Sequence, residues 1–346
     1  MTASTLTRPL PLEIEEITLD WLTSAIHTRH PDAVLSGFEI EKIDNGTCTK
    51  IYVKLDLDDA SRAAGMATQV IVKGGFEAHS RAMPYMHLAE VRSYRDVLPA
   101  LGLPSPACYF ADFDEASGQG IVIMENLRAR GVELCHPLKP HTPEQVARRL
   151  AELARYHAKT WNSADLLPGG RWAELPGMLD GNHLQMFLEP EPWTRFVNMP
   201  RGRAASVYFH DGQWMADALD RLRKLAQRLP NAVLHGDTHL GNLYVEPDGT
   251  PGFFDSLPHQ WSPIGEITYH IGCALDPMDR RRCEGDLVRG YLNELTKLGI
   301  EAPNYEDTMQ HYAAFLAFGF CIFMVNDAGW QPEAINTAYT ARFSAA

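Results

Sequence analysis

Near Glu125 the sequence changes character, and that change limits the fold more than any other feature. Before it come short strand-like runs: 38–43, which alternates weakly, 50–57, which alternates well, the stretch QVIVK at 69–73, 107–112 and 120–124. Runs of this kind, bounded by turn residues, predict strands. One helix interrupts them over 79–98, with Met86, Leu88, Val91, Tyr94 and Leu98 as its apolar face. A shorter amphipathic helix falls within 13–30. After Glu125 helices take over. Thr142-Pro143-Glu144 supplies an N-cap, a proline at the first helical position and an acid in the first turn, so a helix is expected to run to about Thr160. Residues 213–227 and everything from 266 read as helix, with short strands at 234, 243–245 and 252–254. The stretch 162–210 is rich in Pro, Gly and Trp and gives no readable period. The expected architecture is α+β and two-lobed. A small β-rich lobe spans 1–125, a larger helical lobe spans 126–346, and a ligand is expected in the cleft of such a fold.

Charge and composition exclude several classes. The formal net charge of -13 repels a phosphate backbone, so no nucleic-acid partner is expected. The six cysteines are scattered, with no pair at zinc or redox spacing, and read as reduced thiols of a cytoplasmic protein. The first residues lack the apolar core of a signal peptide. The longest apolar run, Tyr312 to Val325, is too short to span a bilayer and predicts a buried core helix.

The sharpest local feature is His235-Gly236-Asp237-Thr238-His239-Leu240-Gly241-Asn242. The spacing His-x-Asp-x-x-x-x-Asn is that of a kinase catalytic loop. Such a loop aims a carboxylate at an attacking hydroxyl and an amide oxygen at a metal. Asp255 follows 13 residues after Asn242, at the end of the short apolar run Gly252-Phe253-Phe254. Asn242 and Asp255 are therefore the candidate metal pair, and hard oxygen donors of this kind suit Mg2+.

HGDTHLGNLYVEPDGTPGFFD resembles the signature of the aminoglycoside phosphotransferase family, and more closely its ecdysteroid-kinase and choline-kinase-like members. Weaker pieces follow in the family's order: VIVKGG, HLAEVRSYRDVLPALGLPSP, IVIMENL, LARYHAKTW and QPEAINTAYTARFSAA. The resemblance implies a protein-kinase-like fold that uses ATP or GTP with Mg2+ to phosphorylate an alcohol group of a small molecule. It implies Asp237 as catalytic base, Asn242 and Asp255 as metal ligands, and Lys73 on the α/β-phosphates with Glu90 as its partner. The hinge backbone at Glu125 and Leu127 would hold the purine. Residues Asn45, Gly46, Thr47, Cys48 and Thr49 would cover the phosphates. Two departures stand out. The covering turn has one glycine, so Thr47, Thr49 or Lys50 is expected to assist there. The family's loop-bracing Asp is His270 in this chain, with Glu266 as a possible substitute.

The His270 departure suggests a nucleotide-binding module without transfer activity. Within the kinase reading, hydroxyacyl thioesters and aminoglycosides are alternative acceptors. The wealth of aromatic residues and methionines in the helical half points instead to a neutral, partly apolar alcohol. His235 and His239 stand four apart, as zinc ligands on a helix do, but Gly236 and Gly241 argue against a helix. They are expected to orient the loop by hydrogen bonds, and His157 to be a buried, hydrogen-bonded histidine. Trp161, Trp193, Trp214, Trp261 and Trp330 read as core first and pocket second.

Overall fold

A computed structural model describes residues 9–46, 48–81, 83–181 and 184–346. Chain contacts divide it into two compact units. The first comprises residues 1–133 together with 253–257; the second comprises 134–252 and 258–346. The fold is protein-kinase-like, with an antiparallel sheet in the first unit and a mostly helical second unit.

The first unit is built on five strands: β1 (Leu35–Asp44), β2 (Thr49–Leu57), β3 (Gln69–Gly74), β4 (Cys108–Asp114) and β5 (Gln119–Glu125). Their order is β1-β2-β3-β5-β4, every neighbouring pair antiparallel. Alternation in β2 buries Ile51, Val53, Leu55 and Leu57 and turns Lys50 and Tyr52 to the other side. Register sets Lys50 directly across from Lys73. One face of the sheet packs on the helix Leu19–His27 through Trp21, Leu22 and Ile26.

The long helix expected over 79–98 is interrupted. It is helical over Ala78–Arg81 and Pro84–Arg92, widens to a π-turn over Ser93–Val97 and resumes at Leu98–Leu101. Pro84 begins a new segment because it has no N–H for a preceding turn, and the π-turn sits just ahead of Pro99, which cannot bond back to Arg95. The buried stripe differs too. Met86 and Leu88 are only half-buried, and His87, Glu90 and Val91 take the inner face. Two of those three are polar, so each requires a partner inside.

In the second unit, Thr142 caps the helix Pro143–Ala158: its hydroxyl accepts from Gln145 N at 3.3 Å, and Gln145 Oε1 accepts from Thr142 N at 3.0 Å. That helix packs against Pro277–Lys297, while Tyr305–Val325 packs against Pro263–Ala274 and Glu333–Ser344. Tyr305–Val325 is long and apolar enough to cross a membrane by length and composition, which the run Tyr312–Val325 alone is not. It lies among the core helices, with Tyr312, Phe315, Phe318, Phe320, Phe323 and Met324 buried. Of the tryptophans, Trp193 and Trp261 are core residues, and Trp214 and Trp330 are exposed.

Arg201 fixes the end of this apolar helix. It is fully buried, and its guanidinium has N–H donors and no acceptor, so it needs acceptors around it. Its guanidinium donates to the carbonyls of Phe323 (3.3 Å), Met324 (3.2 Å) and Asn326, and it pairs with Glu333. Those carbonyls belong to the helix's last turn, where a cation is favoured. Arg201→Met is expected to cost about 3 kcal/mol or more, since Glu333 and the carbonyls lose their charged donor. Chemical denaturation of the two proteins, followed by far-UV circular dichroism, measures the difference.

Candidate active site

The first unit brings three expected residues together. Lys73, near the end of β3, lies with its Nζ 2.6 Å from Glu90 Oε1 and 2.9 Å from Asp255 Oδ1. Glu90 reaches it from the inner face of Pro84–Arg92, and Asp255 comes from the returning segment 253–257. That segment is anchored where Phe253 N donates to Pro104 O at 2.9 Å. Lys50, across the ladder from Lys73, stands 3.6 Å from the second oxygen of Asp255. Burial works against every charge here, and the partners outweigh it at Lys73 and Asp255. The carboxylates of Asp255 and Glu90 hold the Lys73 ammonium well above its usual range. Lys73 and Lys50 hold Asp255 well below the usual carboxylate range. Glu90 moves up instead, through burial and against the pull of Lys73, because Asp255 competes for the same ammonium. Asp255 has φ of 52°, the left-handed region that asparagine and aspartate tolerate better than most residues. Local strain of this kind persists where neighbouring contacts over-determine the backbone.

The tip of the β1–β2 hairpin holds Asn45 and Gly46, and Gly46 O accepts from the ring of His79 at 2.9 Å. Thr49 opens β2 with its side chain buried, and Thr47 lies outside the described residues. Cys48 Sγ lies 3.7 Å from His87 Nδ1, and burial pushes its thiol up to about 11. Glu125 ends β5; its carboxylate accepts from Ala107 N at 2.7 Å and pairs with Arg130 at 2.6 Å. Leu127 follows at the start of a short 3-10 turn.

The second unit assembles the Asp237 loop. Gly236 takes φ of 88°, which a side chain would resist, so the chain can turn between the buried strand Ala232–Leu234 and Asp237. Asn242 Nδ2 donates to Asp237 Oδ2 at 2.9 Å and to its main-chain oxygen at 3.1 Å. Tyr269 O–H donates to Asp237 Oδ1 at 3.1 Å, and His239 Nε2 stands 3.4 Å from Oδ2. Burial opposes the Asp237 charge, yet His239, His235 and Tyr269 hold the carboxyl below its usual value. His239 Nδ1 accepts from Gly241 N at 2.9 Å and so caps the turn Leu240–Asn242. The loop is not a continuous α-helix, and among the described residues no cluster of three His, Cys, Asp or Glu forms a metal cage.

Glu266 braces this loop from below. One carboxylate oxygen accepts from Gly236 N at 2.6 Å; the other accepts from His235 N at 3.2 Å and lies 2.8 Å from His157 Nε2. His157 is fully buried, and its other nitrogen is 2.9 Å from Tyr291 O–H. Burial raises Glu266, but His157, His235 and the Gly236 N–H together hold it below the usual range. His270 is also inside, with Nδ1 2.9 Å from Thr238 O. The residue that departs from the family pattern therefore holds the loop's carbonyl side, and Glu266 holds its N–H side. Tyr269 was not anticipated, since it lies on Pro263–Ala274, a helix buried all round, where apolar periodicity is silent.

Taken one at a time, each of the two expected metal ligands keeps an oxygen of the kind a hard divalent cation takes. Asn242 commits its amide nitrogen to Asp237, which leaves Oδ1 as its lone-pair donor, and Asp255 offers carboxylate oxygens. The chain matches the phosphotransferase enzyme family (APH) over residues 78–255, just over half its length. It belongs to that family. This phosphotransferase is a small-molecule kinase. Its fold is similar to that of an amicoumacin kinase determined with AMP-PNP and Ca2+, with TM-score 0.52, 14% identity, and coverage of 90% of this chain and 89% of the other. A Plasmodium vivax ethanolamine kinase gives TM-score 0.50 at 12% identity, covering 92% of this chain and 86% of the other. No curated protein matches it in sequence.

Burial first, and then the Arg149 guanidinium, push His270 down to about 3, so its ring is neutral in the folded kinase. In the unfolded chain an imidazole takes a proton below about 6.5. Between those two values the unfolded state binds more protons, so stability falls as pH drops from about 6.5 toward 3. His270→Gln is expected to remove up to about 1.4 kcal/mol per pH unit of that slope between pH 6 and 4. Urea denaturation of both proteins across this range checks it.

Proposed function

We propose that this kinase transfers the γ-phosphate of ATP, or of GTP, to the hydroxyl of a small, neutral and partly apolar alcohol. The observation that carries the reading is the grouping of Lys73 with Glu90 at 2.6 Å and Asp255 at 2.9 Å. A lysine held charged between two carboxylates is ready to exchange one of them for nucleotide phosphates. Lys73 takes the α/β-phosphates, with Glu90 fixing its direction, and Lys50 adds a second cation beside it. Asn45, Gly46, Thr47 and Thr49 cover the phosphates, and the backbone at Glu125 and Leu127 takes the purine. Asn242 and Asp255 would hold Mg2+. When bound, the metal neutralises charge on the phosphates. Asp237 accepts a hydrogen bond from the acceptor hydroxyl, aims its oxygen at the γ-phosphorus and receives its proton as the bond to phosphorus forms.

Two observations favour a neutral acceptor over a polycation. Asp237 is surrounded by rings rather than further acids: Tyr269 and His239, and beyond them Phe318, Phe323 and Tyr339. The helical second unit also exposes two large aromatic side chains, Trp214 and Trp330, on which an apolar acceptor can pack. The names of the fold relatives, kinases of amicoumacin and ethanolamine, are compatible with a hydroxyl acceptor of modest size.

A nucleotide-consumption screen over alcohols, sugars, sterols and aminoglycosides is expected to return turnover with a neutral alcohol. Asp237→Asn should reduce that turnover by about 10²–10⁴-fold while AMP-PNP still binds with near wild-type affinity. Full turnover by the Asn variant would remove Asp237 from the chemistry. Turnover confined to aminoglycosides would overturn the acceptor class.

A further inference from the structure

Asp237 has two oxygens, and the structure treats them differently. Oδ2 lies 2.9 Å from Asn242 Nδ2 and 3.4 Å from His239 Nε2. His239 Nδ1 accepts from Gly241 N, so its ring proton sits on Nε2, facing Oδ2. Oδ2 is therefore met by two donors. Among the described residues Oδ1 is met by one, the phenol of Tyr269 at 3.1 Å, which leaves lone-pair capacity for a further donor.

Tyr269 is held firmly. It is almost fully buried on Pro263–Ala274, every residue of which is buried. Its ring stacks on Phe323 with centroids 5.6 Å apart at 9°, on Phe343 at 6.2 Å, and leans on Phe318 at 5.9 Å. Burial and the adjacent Asp237 charge keep the phenol protonated, so it remains a donor. By contrast, the terminal torsion of an aspartate is broad, and an unrestrained carboxylate turns easily.

We propose that Tyr269 is a positioning residue for phosphoryl transfer, whose O–H fixes the Asp237 carboxylate so that Oδ1 meets the acceptor hydroxyl. This rests on the reading of Asp237 as the base. The acceptor O–H donates to Oδ1 beside the phenol. As the acceptor oxygen bonds to the γ-phosphorus, the bond from phosphorus to the β–γ bridging oxygen breaks. The hydroxyl proton passes to Oδ1, and the nucleoside diphosphate departs with the bridging electrons. Tyr269 gives up no proton in this sequence. Its contribution is the angle at which Oδ1 is presented, an effect on which transfer rates depend steeply.

The test is Tyr269→Phe, which keeps the ring and its stacking and deletes only the donor. Turnover of ATP is measured with water as acceptor and with the alcohol returned by the screen, and each rate is normalised to the fraction of protein that binds AMP-PNP. The expected result is a kcat lowered about ten- to a hundredfold, the size associated with a hydrogen bond to a charged group. KM for ATP should stay within about twofold, with no change in melting temperature beyond that of a lost surface-remote hydroxyl. A wild-type kcat per binding-competent molecule would overturn the proposal, as would a loss of turnover that merely follows loss of AMP-PNP binding. Asp237→Asn, run alongside, separates the two readings. If that variant keeps full turnover, the base assignment fails; if it is inactive while Tyr269→Phe is fully active, only the positioning role fails.

Discussion

One buried carboxylate governs the geometry of the Asp237 loop. Glu266 accepts main-chain N–H bonds from both His235 and Gly236 and a third contact from His157. Burying such a charge is costly unless its lone pairs are taken up, and here they are. The consequence runs outward. With the two amides fixed, Gly236 can hold its left-handed turn, Asp237 is delivered against Tyr269, and Asn242 closes back on the same carboxylate. The His157–Tyr291 contact ties this arrangement to the paired helices Pro143–Ala158 and Pro277–Lys297. Loop position therefore depends on the helical core rather than on local turn preference.

The first unit solves a different problem. Its cluster contains two lysines and two acids in close quarters, so neutralisation replaces hydrogen-bond satisfaction as the organising requirement. Lys50 and Lys73 face each other across a ladder, an arrangement that like charges disfavour on a bare sheet. Asp255 relieves it by reaching both. The two cations are thus held side by side by the one carboxylate that both of them meet.

Much of this was legible in the sequence, for identifiable reasons. Strand β2 follows alternation, as a strand with one buried face does, whereas β5 is buried at every position and is legible only as a short apolar run between turns. The spacing from Asp237 to Asn242 is short enough that local chain geometry alone keeps the two side chains together. The stretch 79–98 reads as one helix because periodicity tolerates proline at a segment start, and only Pro84 and Pro99 betray the breaks. Val91, Tyr94 and Leu98 are buried as that periodicity expects, whereas His87 and Glu90 are not legible as inner residues, because they are buried by their partners rather than by their own hydrophobicity. Tyr269 was invisible for the opposite reason. On a helix buried on every side, nothing in the pattern distinguishes the one residue that meets Asp237.

The return of residues 253–257 to the first unit has a topological consequence. The chain leaves that unit at residue 133 and revisits it once, for a span containing Asp255. No single cut of the gene therefore yields two self-sufficient halves. A fragment ending at residue 133 would keep Lys73 with Glu90 but lack Asp255, the one carboxylate that reaches both lysines. The first unit is therefore completed only by a second, distant stretch of the same chain.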